Sequence, residues 1–431
     1  MFTGISLMKF IKPLGKVNRK NIILFLAILG PGIITANVDN DAGGVTTYSL
    51  AGAHFGNSIL WVMIPTMVAL VVIQEMCARM GAVTGKGLSD LIRESFGVKV
   101  TFYVMVALLL TNLGNSVSEF AGIAASLEIF GISKYISVPF AALLVWLLIV
   151  KGSYKLVEKV FLIACTIYIA YPIAAFMAKP DWGTIMTATV VPTINTDSAY
   201  LMTIIGVVGT TIAPWMQFYQ QAAVVEKGVT IEQYSFSRLD VFVGCIMAIV
   251  VAFFIVVACS STIHTQGLRI ETAADAAMAL KPLVGQYAST LFAIGLFNAS
   301  LFAACILPLS TSYYVCEGMG WESGIDRNFK EAPQFFWLFT IIIILSAALI
   351  LIPNAPLITI MFLSQVVNGI MLPFVLIFML ILINNKRLMG RYRNGPVFNI
   401  IAWATAGITI LLTLLMTIDM VYPGAIARMF S

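Results

Sequence analysis

The 431 residues are 60% apolar and only 10% charged, with a formal net charge of +5, against roughly 45–50% apolar and 25% charged in a soluble domain. This excludes a water-dissolved enzyme fold, and because the basic residues flank apolar runs it excludes nucleic acid as a partner. Six cysteines (77, 165, 245, 259, 305, 316) stand singly as small hydrophobes, and two histidines, His54 and His264, fall in predicted loops, too few for a histidine-rich metal site or proton relay.

Lys9, Lys12, Lys16, Arg19 and Lys20 precede the apolar run from Ile22 to Leu29 in the manner of a secretory signal. Apolar character resumes after a short polar break and ten further spans follow, so a retained first helix behind a basic cytoplasmic tail, residues 1–21, is expected. Apolar runs bounded by Gly, Pro and charge predict helices over 22–52, 57–80, 100–130, 136–151, 156–178, 198–226, 238–262, 287–314, 334–352, 356–384 and 396–420. Most can cross a hydrocarbon core of roughly 30 Å. With the N-terminus inside, 20 of the 25 Lys and Arg residues lie on the cytoplasmic side and five, Lys134, Lys179, Arg269, Lys281 and Arg428, lie outside. A wrong helix count would scramble that bias. The expectation is a multi-pass cell-membrane protein with a cytoplasmic N-terminus and an extracellular C-terminus, its loops near 179–197 and 264–285 capping the outer face. Nothing in the sequence sets the oligomeric state, and a monomer suffices.

Two spans are interrupted. The first carries Asn37-Val38-Asp39-Asn40-Asp41-Ala42-Gly43-Gly44 in its middle, a run that no lipid-facing helix tolerates, so it must face protein or a water-filled cavity. The sixth carries Gly209-Thr210-Thr211-Ile212-Ala213-Pro214-Trp215-Met216-Gln217, where Pro214 removes a backbone donor. Interruptions five spans apart are what two inverted five-helix repeats produce, here 22–178 and 198–384, with a substrate site where the breaks meet and an eleventh helix, 396–420, as an appendage.

The first halves of these spans, ending near Val38 and Gly209, aim the partial negative charge of freed carbonyls at one place. Asp41 makes that place a hard, oxygen-lined, anionic pocket suited to a cation. A simpler role for Asp41 is to cap the second half of the first helix, and the two roles are compatible.

Gly30-Pro31-Gly32 followed by Asp41-Ala42-Gly43-Gly44 is similar to the helix 1 signature of the NRAMP metal-ion transporters, in which the stretch usually reads Asp-Pro-Gly-Asn. Further matches are Gln74, Ala78-Arg79 and Gly81-Ala82-Val83-Thr84-Gly85 in span 2 and its loop, Glu119 in span 3, Pro214 in span 6, and Leu363-Ser364-Gln365-Val366-Val367 with Pro373-Phe374 in span 10. The resemblance covers nearly all of the spans. It implies an all-α integral membrane protein with a LeuT-type inverted 5+5 repeat plus an eleventh helix, alternating access, and a metal site between spans 1 and 6. Candidate metal residues are Asp41, Gly209, Thr210 and Ala213; candidate pocket-lining residues are Gly44, Trp215, Gln217, Glu119 and Gln365, with Asn368 expected to support Gln365. No cofactor is expected, the divalent ion being the substrate and the lipid bilayer the only other partner.

Members of the family that move manganese or iron usually have Asn at the position of Gly44 and Met-Pro-His at that of Ala213-Pro214-Trp215. A thioether selects softer transition metals, whereas carboxylate, carbonyl and water suit magnesium. Gly44 and Ala213 also vacate volume that lets the ion keep waters, which magnesium gives up reluctantly. This pattern resembles the NRAMP-related magnesium transporter branch, in which manganese is carried too; Trp215 is expected to wall the pocket. Ser116 and Gln220 stand where the resemblance implies a second acid and a second histidine of a proton path, and Phe335-Phe336 where it implies arginine, leaving Glu119 alone. The expectation is uncoupled magnesium uptake driven by about 4.6 kcal/mol per divalent ion per 100 mV. The competing readings are a proton-coupled manganese or iron transporter and a symporter for an organic solute such as an amino acid, which the same architecture serves. An enzyme is not expected, since no nucleotide loop, Ser-His-Asp set or His-Glu-x-x-His is present. Glu75 and Arg79 are expected to form an ion pair, and Asp240 and Glu317 to lie at helix ends within reach of water.

Overall fold

Continuous apolar runs satisfy their backbone polar groups internally as helices, the only open-ended element stable in hydrocarbon. The computed structural model describes residue 38 and residues 40–151, 168–195, 197–325 and 327–422; Gly30-Pro31-Gly32, Asp39, Cys165, the basic tail and most of the span predicted over 156–178 lie outside these residues. The described elements are helical. We number them α1 (Ala42–Phe55), α2 (Met63–Thr84), α3 (Leu88–Phe96), α4 (Val98–Glu128), α5 (Lys134–Val150), α6 (Ala170–Met177), α7 (Trp182–Val190), α8 (Ser198–Thr211), α9 (Pro214–Glu226), α10 (Tyr234–Thr262), α11 (Ala273–Ala277), α12 (Lys281–Val284), α13 (Ala288–Met319), α14 (Pro333–Ile350), α15 (Leu357–Asn384), α16 (Lys386–Met389) and α17 (Pro396–Val421).

Eight of the described segments are long and apolar enough to cross a membrane, and α5 is a shorter apolar helix. Their starts follow local chemistry. Pro214, Pro333 and Pro396 open α9, α14 and α17, where a missing N–H costs nothing, and Ser133 caps α5 by accepting from the Tyr135 amide. The span predicted from residue 57 begins as a 3-10 turn, Gly56–Val62, that joins α1 to α2.

Short helices occupy loops in which none was expected. The α7 helix packs on the 3-10 turn at the end of α1, where the Tyr200 hydroxyl lies 2.8 Å from both the Ser58 and the Thr193 carbonyls and accepts from Trp61 Nε1 at 3.1 Å. His54 belongs to the last turn of α1 rather than a loop, and His264 Nδ1 lies 2.9 Å from the Ala53 carbonyl. All five cysteines among the described residues are buried, and none of them forms a disulfide.

At the opposite end of α2, Glu75 and Arg79 form the expected ion pair at 3.1 Å, and Tyr234 hydrogen-bonds Glu75 from α10. Arg79 also donates to the Tyr392 and Arg393 carbonyls and to Asn394 Oδ1, tying α2 to the loop before α17. Asp240, expected near water, is buried on α10, on the same helix face as the buried Phe236 and Ser237. Glu317 is half-buried, with its carboxylate against Gly87.

Candidate metal-ion site

Both breaks lie inside the bundle. The α1 helix starts at Ala42 with Asp41 as its N-cap, Oδ1 accepting from the Gly44 amide at 2.7 Å. The capping role is thus real, and it fixes the carboxylate at the positive end of α1. The Ala42 amide donates to Glu119 Oε2 on α4 at 3.2 Å, so two carboxylates from distant parts of the chain meet on one helix terminus. Gly122, one turn after Glu119, permits this approach: a Cβ there would collide with Ala42 and Ser300. Asp41 is 5% exposed and Glu119 wholly buried. Glu119 Oε1 is buried without a hydrogen-bond partner among the described residues.

The α8 helix runs to Thr211, two residues beyond the expected end near Gly209, and Ile212 closes it by donating to the Val208 carbonyl. Pro214 has no N–H to offer the Thr210 carbonyl, so the negative end of α8 stays open toward the break. Ala213, the N-cap of α9, is buried, and its carbonyl accepts from the Met216 amide at 3.1 Å. The Gln217 amide folds onto the same turn, one of its ends lying 2.6 Å from the Ala213 carbonyl and 2.7 Å from that of Pro214; two acceptors there assign that end to the NH2. The two breaks are joined by a 2.8 Å hydrogen bond between Tyr48 on α1 and Thr211 on α8.

Gln365 approaches from α15. A Cβ on Gly43 would collide with its side-chain amide, so this residue lies against the first turn of α1. Asn368 donates to Gln365 Oε1 at 2.8 Å, the support expected of it. Gly209 faces α15 as well, where a Cβ would overlap the backbone of Gln365 and Gly369; what it can turn to the break is its carbonyl. Replacing Gly209 with alanine forces α8 and α15 apart, and an overpacked contact of this kind costs about 1–3 kcal/mol. The expected result is a lower melting temperature of the purified protein, with a larger drop for Gly209→Val. Trp215 is buried, its ring 6.1 Å from that of Tyr219.

Asp41, Gly44, Glu119, Thr210, Ala213 and Gln365 are therefore placed on the elements that meet at the breaks, whereas Gln217 is turned back onto its own helix. Sequence reasoning missed Tyr48, Gly122 and Tyr168, whose hydroxyl donates to the Asn40 carbonyl at 2.5 Å. It also missed Asn112 and Asn115. Polar residues at 112, 115, 116 and 119 recur at helical spacing on one face of an apolar span, and that signal was available. Among the described residues no group of three or more His, Cys, Asp or Glu side chains could hold a metal. A cation here would find carboxylate, carbonyl and water oxygens, a hard donor set.

The family model described as natural resistance-associated macrophage protein-like (Nramp) matches residues 32–419. The chain is 25% identical over 411 residues to a protein of Deinococcus radiodurans named divalent metal cation transporter MntH, covering 92% of this chain and 91% of that one. It is 26% identical over 406 residues to the Bacillus subtilis (strain 168) protein of the same name, covering 91% and 92%. In three dimensions it is similar to the Eremococcus coleocola manganese transporter solved in complex with an aromatic bis-isothiourea substituted compound, with a TM-score of 0.73, 21% identity and coverage of 97% and 88%. It also resembles Mhp1, a nucleobase-cation-symport-1 family transporter in a closed conformation, with a TM-score of 0.57, 15% identity and coverage of 93% and 95%. These likenesses show the LeuT-type helical fold.

Proposed function

This chain belongs to the Nramp family, and we propose that it carries divalent metal ions across the cell membrane by alternating access, preferring magnesium, accepting manganese and moving no protons. The observation that carries the reading is the buried Asp41–Glu119 pair at the start of α1, with one carboxylate oxygen unpartnered, beside the open carbonyl end of α8. Two adjacent buried carboxylates cannot both stay ionised unless a positive charge, a bound cation or a shared proton, lies between them, and a divalent cation supplies it in this reading. In this reading Asp41 is the charged ligand, the carbonyls of Gly209 and Thr210 are neutral ligands, Ala213 and Gly44 leave room for retained waters, and Glu119 holds one of those waters. Trp215 closes the wall. The cytoplasmic N-terminus and extracellular C-terminus, and the repeats over 22–178 and 198–384, belong to the same proposal.

Magnesium preference is supported by the absence of a thioether at position 213 and of an amide side chain at position 44. The Eremococcus coleocola structure is that of a manganese transporter and favours manganese instead, and one experiment separates the two. Liposomes containing the purified protein, a magnesium-sensitive dye and a pH-sensitive dye should report magnesium accumulation at inside-negative potential without acidification of the lumen. Manganese uptake with no magnesium signal would replace the ion assignment; a proton signal stoichiometric with the metal would replace the uncoupled mechanism.

A further inference from the structure

A chain of buried amides leads sideways from the ion site into the rest of the bundle. Asn112 and Asn115 lie on α4 and Gln365 and Asn368 on α15, none more than 2% exposed. At the far end the Asn112 NH2 donates to the Leu307 carbonyl on α13 at 2.8 Å and to Thr311 Oγ1 at 2.5 Å. Asn112 Oδ1 accepts from the Asn115 NH2 at 3.0 Å, and that NH2 also donates to Asn368 Oδ1 at 2.9 Å. The Asn368 NH2 donates to Asn115 Oδ1 at 2.9 Å and to Gln365 Oε1 at 2.8 Å. The oxygen of Gln365 is thereby turned away from the break, and its NH2 lies over Gly43 and donates to Ser364 Oγ at 3.2 Å.

Each junction pairs a donor with an acceptor, so no single amide can turn over without setting like against like. Hydroxyls adapt by rotation; the Leu307 carbonyl cannot, since it only accepts. That one backbone oxygen, reached through three amides, decides which end of Gln365 faces the ion. A cation needs the oxygen, and the chain delivers the NH2.

We propose that Asn112, Asn115 and Asn368 are positioning residues that act as a polarity lock, holding Gln365 in its donor orientation so that ion binding at the break works against the lock. The lock keeps affinity low and release fast. It rests on the ion lying where α1 and α8 break. Three observations carry it: the unbroken donor-to-acceptor order, the near-complete burial of all four amides, and the contact of Gln365 with Gly43.

The test is manganese uptake into liposomes by Asn368→Leu, which removes the donor to Gln365, and by Asn112→Leu, which removes the anchor three links from the ion. Each should lower KM for manganese about fivefold to tenfold, the worth of roughly one hydrogen bond, and lower the maximal rate. Neither should change KM in a Gln365→Leu background. A merely structural role would reduce the maximal rate or the melting temperature and leave KM unchanged. An unchanged or raised KM in Asn368→Leu, with melting like that of the unmodified protein, overturns the lock, as does a lowered KM that persists without Gln365. If Asn112→Leu does not insert, Asn368→Leu decides alone. Asp41→Ala serves as the control: abolished uptake keeps the ion site, so that a failed lock then falls by itself, whereas normal uptake removes both.

Discussion

Asp41→Ala is expected to reduce magnesium and manganese uptake by at least about a hundredfold, because stripping the charged partner from a buried cation costs roughly 3–5 kcal/mol and each 1.4 kcal/mol is a factor of ten. In the proposed reading Asp41 both caps α1 and holds the ion, and the variant removes both jobs. Loss of the cap on the Gly44 amide costs α1 only about 0.5–2 kcal/mol. Asp41→Asn separates the jobs, since its side-chain oxygen can still accept from the Gly44 amide at the start of α1 while the negative charge is gone. The protein should melt near its normal temperature and still fail to transport. Wild-type uptake by correctly inserted Asp41→Ala would end the proposal that the ion binds at this break.

The second large effect concerns selectivity. Ala213, a candidate metal residue, is the buried N-cap of α9, and its carbonyl faces the Met216 amide and the Gln217 side chain; in the proposed reading its side chain contributes small volume and no donor atom. Ala213→Met places a soft thioether at that wall, and Gly44→Asn adds an amide oxygen one turn from Asp41. Both fill space that waters on the ion would use. Magnesium sheds water reluctantly and binds sulfur poorly, so the double variant should shift the ratio of magnesium to manganese uptake toward manganese by about thirtyfold, or ~2 kcal/mol. Competition between the two ions in one liposome preparation measures the ratio directly. An unmoved ratio in both the single and double variants would mean that side chains at 44 and 213 do not set the preference.

Much of the architecture was legible in the chain because its solvent is hydrocarbon. A span of apolar residues has one way to satisfy its backbone, and the predicted limits of the spans matching α4, α13, α14 and α15 lie within five residues of those observed. The first break was legible for the same reason inverted: Asn40-Asp41 is intolerable in a regular lipid-facing helix, so its place had to be special. Proline alone was a weaker sign, since Pro139, Pro308 and Pro373 lie inside continuous helices; Pro214 marked the second break by standing in a polar Gly-Thr-Thr run five spans on. The short helices α3 and α7 were not legible, since their sequences carry neither the length nor the continuous apolar character of a span.

The site was legible only in part. Asp41 stood out by its cost at that depth, and Gln365 by family pattern. Glu119 looked isolated because nothing in a sequence says that Gly122 lets α4 close on Ala42, bringing residues 77 positions apart to a hydrogen bond of 3.2 Å. Asn112 and Asn115 looked like two polar residues in a span, and Gln217 like a pocket amide.

The sequence by itself determined the solvent, the limits of several spans, the place where the first helix must fail, and the hard character of the atoms found there, because each follows from the cost of a group at a given depth. Tertiary structure alone decided which carboxylate Asp41 meets, which carbonyls are already occupied and which end of Gln365 faces the break. Those depend on hydrogen-bond partners contributed by other helices, and the direction of an amide is set by its neighbours, not by its place in the chain.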